Sequence, residues 1–255
     1  MIRRALGRGL LGGGLILAWG ASLAAGATPR TEASAVTPRD ATWHARWHEK
    51  IAAARRVGGS DFDLVLIGDS ILDLWPTKGA RTYATFLPWK PLNLGVSGEN
   101  TEHVLHRILH GQLDGLRPKV AMILIGTNNL GHSRDQPEWV AAGVKKVVET
   151  VHARLPETRI LLLALLPRGG DRGPDGIRPN SQATDAIRRQ VARTNELIAP
   201  LADQRHVFFR DLGPLFTRPD GSLRMDLMPD ALHPNEEGYA VWHDAIRPAL
   251  AELMK

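Results

Sequence analysis

Apolar and polar positions alternate along the chain in long blocks rather than residue by residue. Five short runs are apolar almost throughout: Asp63–Ile67, Pro91–Leu94, Val120–Ile125, Arg159–Leu165 and His206–Arg210. Strands that show no in–out alternation suit a parallel sheet covered on both faces. Between these runs the apolar residues recur at helical spacing, which predicts helices over 79–86, 99–110, 137–154 and 181–202, with 235–253 closing the chain. Strand–helix alternation implies an α/β layer fold with right-handed crossovers. An earlier helix is predicted over 41–56, where Trp43, Trp47, Ile51 and Ala54 recur on one face. Those indoles either dock on the domain or line an interface between copies of the chain.

The first 27 residues follow a different rule. Arg3, Arg4 and Arg8 precede a short apolar stretch from Leu10 to Ala21, and Ala25-Gly26-Ala27 offers a small-x-small cleavage site. This is the layout of a secretory signal peptide, and the apolar run is short for a bilayer span. The domain organisation expected is therefore a signal at 1–27, a linker and helix over 28–60, and one catalytic-size domain over 61–255. A periplasmic or secreted location and no lasting membrane insertion follow from it.

Composition sharpens this in two ways. Taking three Arg and no acid away with residues 1–27 lowers the formal net charge from +5 to +2, and no basic patch remains in the mature region to hold a nucleic acid. The chain has no cysteine, which excludes disulfides and lipid attachment through a thioether. His44 and His48 stand four apart on a helix, but without a third ligand nearby they read as a polar face, and no metal or cofactor is expected.

In sheets of this kind the working groups gather at the carboxyl ends of the strands. Gly68-Asp69-Ser70-Ile71 follows the first apolar run, so Ser70 is either a helix cap or a nucleophile, and the tetrapeptide alone does not choose between them. The chain has no G-x-S-x-G, which argues against an α/β-hydrolase nucleophile elbow. Gly95, in Asn93-Leu94-Gly95-Val96-Ser97-Gly98, is either an ordinary strand-ending turn or a place where a backbone N–H lies open to a ligand. After the third run, the asparagine in Gly126-Thr127-Asn128-Asn129 is either an ordinary turn residue or an amide donor into the same space. Late in the chain Asp230-Ala231-Leu232-His233-Pro234 puts a carboxylate three residues before an imidazole, with Pro234 suited to open the last helix. Nucleophile, amide donors and an Asp–His pair at four successive expected positions of one fold form a combination that chance rarely arranges.

These four blocks resemble those of the SGNH (GDSL) hydrolases, over roughly residues 61–253. Within them, 103–114, Pro118-Lys119-Val120 and Leu165-Leu166-Pro167-Arg168-Gly169 are similar to the catalytic subunits of intracellular platelet-activating-factor acetylhydrolase. The resemblance implies a three-layer α/β/α sandwich around a five-stranded parallel sheet, flavodoxin-like in order. It implies Ser70 as nucleophile, His233 as general base and Asp230 as its orienting carboxylate. The implied oxyanion hole consists of the Ser70 and Gly95 N–H groups with the Asn128 side chain. Ile71, Thr127 and Leu232 are then expected to wall a small acyl pocket. The expected substrate is a short acyl ester, acetyl foremost, on a small molecule or a glycan, and a homodimer is compatible with the likeness. An acyltransferase using the same acyl-enzyme and an inactive glycan-binding protein are the other readings.

Overall fold

The computed structural model describes residues 41–56, 62–169, 171–173, 176–178 and 182–255. The expected signal peptide and the linker up to residue 40 lie outside the described residues. Five parallel strands form the central sheet: β1 (Leu64–Gly68), β2 (Pro91–Asn93), β3 (Val120–Leu124), β4 (Arg159–Leu163) and, late in the chain, β7 (Val207–Arg210). Between β4 and β7 lies a small antiparallel hairpin, β5 (Asp171–Gly173) with β6 (Gly176–Arg178). The central order is β2-β1-β3-β4-β7, as the flavodoxin-like expectation requires. Every residue of β1 and β3 is buried, which is why both read as unbroken apolar runs.

The chain moves one way across the sheet from β1 to β2 and the other way for each later crossover. Right-handed connections therefore send the first set of helices to one face and the later set to the other. Three short helices connect β1 to β2: α2 (Ser70–Asp73), α3 (Trp75–Lys78) and α4 (Ala80–Tyr83). The later crossovers carry α5 (Thr101–Leu109), α6 (Thr127–Gly131), α7 (Pro137–Arg154) and α8 (Gln182–Ile198), and α7 packs against both α5 and α8. The closing helix α9 (Glu236–Leu253) returns to the first face against α3 and α4. There Trp75 packs between Phe86, Tyr239 and Trp242, with ring centroids 4.6–5.2 Å apart.

Two local expectations are corrected. The single helix expected over 79–86 is instead α3 and α4 hinged at Gly79, followed by a 3-10 turn over Ala84–Trp89 that contains Pro88. A Cβ on Gly79 would meet the Tyr239 side chain at 2.6 Å, so α9 presses the segment into its broken path. Pro234 does not open α9. Asn235 is its N-cap, accepting the Gly238 N–H at 2.9 Å, and Pro234 stands just before it.

The N-terminal helix α1 (Ala41–Arg56) docks on the domain. Trp43, Trp47 and Ile51 form a small apolar cluster with Val96, in the loop after β2.

Candidate active site

β1 ends on Gly68 because nothing larger fits: a Cβ there would lie 2.1 Å from the Leu124 carbonyl of neighbouring β3. The chain then turns. Asp69 caps α2, its Oδ1 accepting the Ile71 N–H at 3.0 Å, and Ser70 becomes the first helical residue. The capping task thus falls to Asp69, and the Ser70 side chain is left for another partner. Its hydroxyl donates to His233 Nε2 at 2.9 Å. As the opening residue of a helix, Ser70 also has a backbone N–H that no helical carbonyl takes up.

On the other side of the imidazole, His233 Nδ1 lies 2.7 Å from Asp230 Oδ2. Asp230 Oδ1 accepts the backbone N–H groups of Leu232 (3.1 Å) and His233 (2.7 Å), so both carboxylate oxygens are engaged within one tight turn. Ala231, inside that turn, adopts a left-handed φ of 55°, a conformation that costs a residue with a Cβ on the order of 1 kcal/mol. Its carbonyl is tied down by the Gly169 N–H at 2.8 Å. Partial burial works against the Asp230 carboxylate, but hydrogen bonds from the His233 ring and the turn's backbone outweigh it and hold its pKa well below the ordinary carboxylate range. An ionised Asp230 fixes the proton on Nδ1 and turns the Nε2 lone pair towards Ser70.

Asn128 is the second residue of α6, buried, and its Nδ2 donates to the Glu99 carbonyl at 2.8 Å. An amide nitrogen has two hydrogens, so this bond orients the side chain while leaving a donor in hand. Gly95 differs from expectation. Its N–H donates to Asn93 Oδ1 at 2.9 Å and is therefore spent. A glycine is needed there for close approach: a Cβ would sit 2.6 Å from the Asp73 nitrogen and 3.0 Å from the Asp69 carbonyl. Three residues on, Gly98 turns with φ 77°, and its N–H meets no acceptor among the described residues. It directly precedes Glu99, whose carbonyl holds Asn128.

This loop is pinned from several sides. Ser97 donates to Asp73 Oδ2 through its N–H (3.1 Å) and its hydroxyl (2.7 Å). Lys50 of α1 reaches Asp73 Oδ1 at 2.7 Å and the Gly95 carbonyl at 2.5 Å. Glu99 and Arg107 form a fully buried ion pair, with Arg107 Nε 2.7 Å from Glu99 Oε1 and Nη2 bonded to Oε2. Sequence reasoning missed Glu99, Arg107, Lys50 and Asp73. The second glycine of the loop, Gly98, was the one signal pointing past Gly95.

Ile71, Thr127 and Leu232 are all buried beside these groups. The Thr127 carbonyl and hydroxyl take the Arg168 guanidinium at 2.9 and 3.2 Å. A cleft of about 260 Å³ opens beside His233 and Asp230, walled by Lys78, Pro229, Pro234, Asn235 and Glu236. A larger hollow of about 700 Å³ between α8 and the end of β7 contains none of the predicted site residues. His48 lies exposed and stacked on Trp47, with ring centroids 3.9 Å apart. Among the described residues no three His, Cys, Asp or Glu side chains gather as a metal site, and no helix is long and apolar enough to cross a membrane.

The model of the GDSL-like lipase/acylhydrolase family matches residues 66–241. The alpha1 subunit of platelet-activating factor acetylhydrolase IB from Pongo abelii is 34% identical over 216 residues, 84% of this chain and 85% of the relative. Among solved structures, a GDSL-like lipase from Bacteroides thetaiotaomicron superposes with a TM-score of 0.64 at 18% identity, covering 82% of this chain and 97% of its own. A carbohydrate acetylesterase from Sinorhizobium meliloti superposes with a TM-score of 0.55 at 18% identity, covering 75% and 99%. With more than half of its length matched by the family model and an extended relative above 30% identity, this chain belongs to the GDSL-like lipase/acylhydrolase family and is a hydrolase of ester bonds.

Proposed function

We propose that the protein is a serine esterase that removes short acyl groups, acetyl foremost, through an acyl-enzyme on Ser70. The observation that carries this is the continuous relay from Ser70 Oγ through His233 to Asp230, at 2.9 and 2.7 Å. His233 Nε2 takes the Ser70 proton as Oγ bonds to the ester carbonyl carbon, and Asp230 stabilises the imidazolium that results. The carbonyl electron pair moves onto oxygen, where the Ser70 N–H, the second Asn128 amide hydrogen and the Gly98 N–H receive it. Gly98 takes the part that the sequence suggested for Gly95. Collapse of this adduct breaks the ester C–O bond, and the alcohol leaves with the proton from His233. Water repeats the cycle and frees the acid. Side chains and backbone supply every group in this sequence, so it proceeds without a metal.

Ile71, Thr127 and Leu232 set the acyl length in this reading, their bulk leaving room for a small group. The curated relative is named as an acetylhydrolase, and the same fold serves a carbohydrate acetylesterase. Acetylated sugars outside the cytoplasm are accordingly the proposed natural substrates, reached by export through the signal at residues 1–27.

The test is release of p-nitrophenol from acetate, butyrate and octanoate esters, with and without EDTA, beside Ser70→Ala. Activity that survives EDTA, vanishes in the variant and falls with acyl length is expected. Equal rates for wild type and Ser70→Ala would reject the serine mechanism. A higher kcat/KM on octanoate would reject the acetyl preference.

A further inference from the structure

The family match begins at residue 66, so α1 stands apart from the segment that defines the hydrolase. Yet its contacts concentrate on the loop beside the nucleophile. The Trp43 indole N–H donates to Glu99 Oε1 at 2.6 Å, a buried bond between residues 56 positions apart. Trp43 and Trp47 also cluster with Val96, which directly follows Gly95. One helical turn further along, Lys50 bonds the Gly95 carbonyl and Asp73, whose second oxygen holds Ser97. Residues 95–99 are thus gripped by α1 near both ends, and Glu99 in turn orients Asn128 through its carbonyl.

The energetics favour a positioning role. A fully buried carboxylate is costly unless its hydrogen-bonding capacity is filled, and a pair with one missing partner is poorly held. Glu99 has Arg107 on one side and Trp43 on the other. Without the indole N–H, Oε1 loses one of the hydrogen bonds that hold it beside Arg107 and the Glu99 backbone gains freedom. That backbone follows Gly98 and carries the oxygen that aims Asn128.

We infer that α1 is a working part of the oxyanion hole, with Trp43 and Lys50 as positioning residues that hold loop 95–99 in register with Ser70. This rests on the serine-esterase reading above. Donors aimed at a developing oxyanion lose much of their effect when displaced by a fraction of an ångström, so a loosened loop should reduce kcat and leave KM nearly unchanged.

The test is a double-variant cycle on the full chain with p-nitrophenyl acetate. Trp43→Phe keeps the ring and removes the N–H, and Lys50→Met keeps the stem and removes the charge. Each should lower kcat by about tenfold in the wild-type background, with KM within about twofold. In an Asn128→Ala background the same changes should cost less than about threefold, because one of the groups they position is already gone. Ester hydrolysis abolished by Ser70→Ala, together with wild-type kcat in both variants, overturns the inference and leaves the esterase reading standing. Losses of equal size in both backgrounds, or confined to KM, overturn it as well. Activity retained by Ser70→Ala refutes the reading beneath it instead. If Trp43→Phe fails to fold by near-ultraviolet circular dichroism, Lys50→Met decides the matter alone.

Discussion

Replacing Asp69 by asparagine should stabilise the protein above neutral pH, against the usual expectation for a residue adjoining a nucleophile. Asp69 is fully buried, with Oδ1 on the Ile71 N–H and Oδ2 without a partner among the described residues. Burial pushes its pKa from 3.8 up to about 7, although the Ile71 hydrogen bond and the charge of His233 pull the other way. The folded protein therefore keeps a proton that the unfolded chain has already lost. Stability must fall as pH rises from about 4 to about 7 and stay level above that. At about 1.4 kcal/mol per pH unit, the displacement amounts to roughly 4 kcal/mol in full. Asparagine keeps the acceptor for Ile71 and cannot ionise, so the variant escapes the penalty. Urea unfolding of both proteins at pH 4.5 and pH 8 gives the comparison, extrapolated linearly to water. The stability gap should widen in the variant's favour by roughly 3 kcal/mol between those two pH values. A gap constant to within about 0.5 kcal/mol would mean that Asp69 is ionised in the folded state at both pH values, and the reasoning would fail.

Two other substitutions probe the same region. Asn128→Ala should lower kcat by about 10²–10³ in steady-state ester hydrolysis, with KM little changed, and an unchanged kcat would remove Asn128 from the oxyanion hole. Arg107→Met should destabilise by about 3–5 kcal/mol in denaturant titration, because it strands Glu99 as a buried charge, and a loss below about 1 kcal/mol would show that Glu99 is protonated or rehydrated.

How far the sequence reveals this protein depends on the length scale of the signal. The three inner strands of the central sheet were legible because burial on both faces leaves apolar runs, as in Leu64–Gly68 and Val120–Leu124, while the half-buried edge strands β2 and β7 carry a weaker form of the same signal. The long helix α7 was legible at both ends, opened by Pro137 and closed after a sustained apolar period. The short helices α2 and α6 were not, since four or five residues carry no periodicity, yet they present Ser70 and Asn128. The break at Gly79 depends on Tyr239, 160 positions away, and no local pattern reports it. At the site, the Asp230–His233 spacing encodes its own turn. In the proposed oxyanion hole, the preference for Gly98 over Gly95 turns on a single side-chain acceptor, Asn93, which takes up the Gly95 N–H. Glu99 and Arg107 escaped notice because a buried ion pair has the same residue types as a solvated one.

The relay joins Ser70 to a histidine 163 positions further along the chain, in the last loop before the final helix. In the proposed mechanism, Ser70 emerges early in synthesis and stays inert through the making of four further strands of the central sheet, until the segment around Asp230 docks. Turnover of a chromogenic ester by a growing or refolding chain is therefore a report on completion. Activity cannot precede arrival of the C-terminal end, and a chain cut short anywhere before His233 should be silent however much of its sheet has formed.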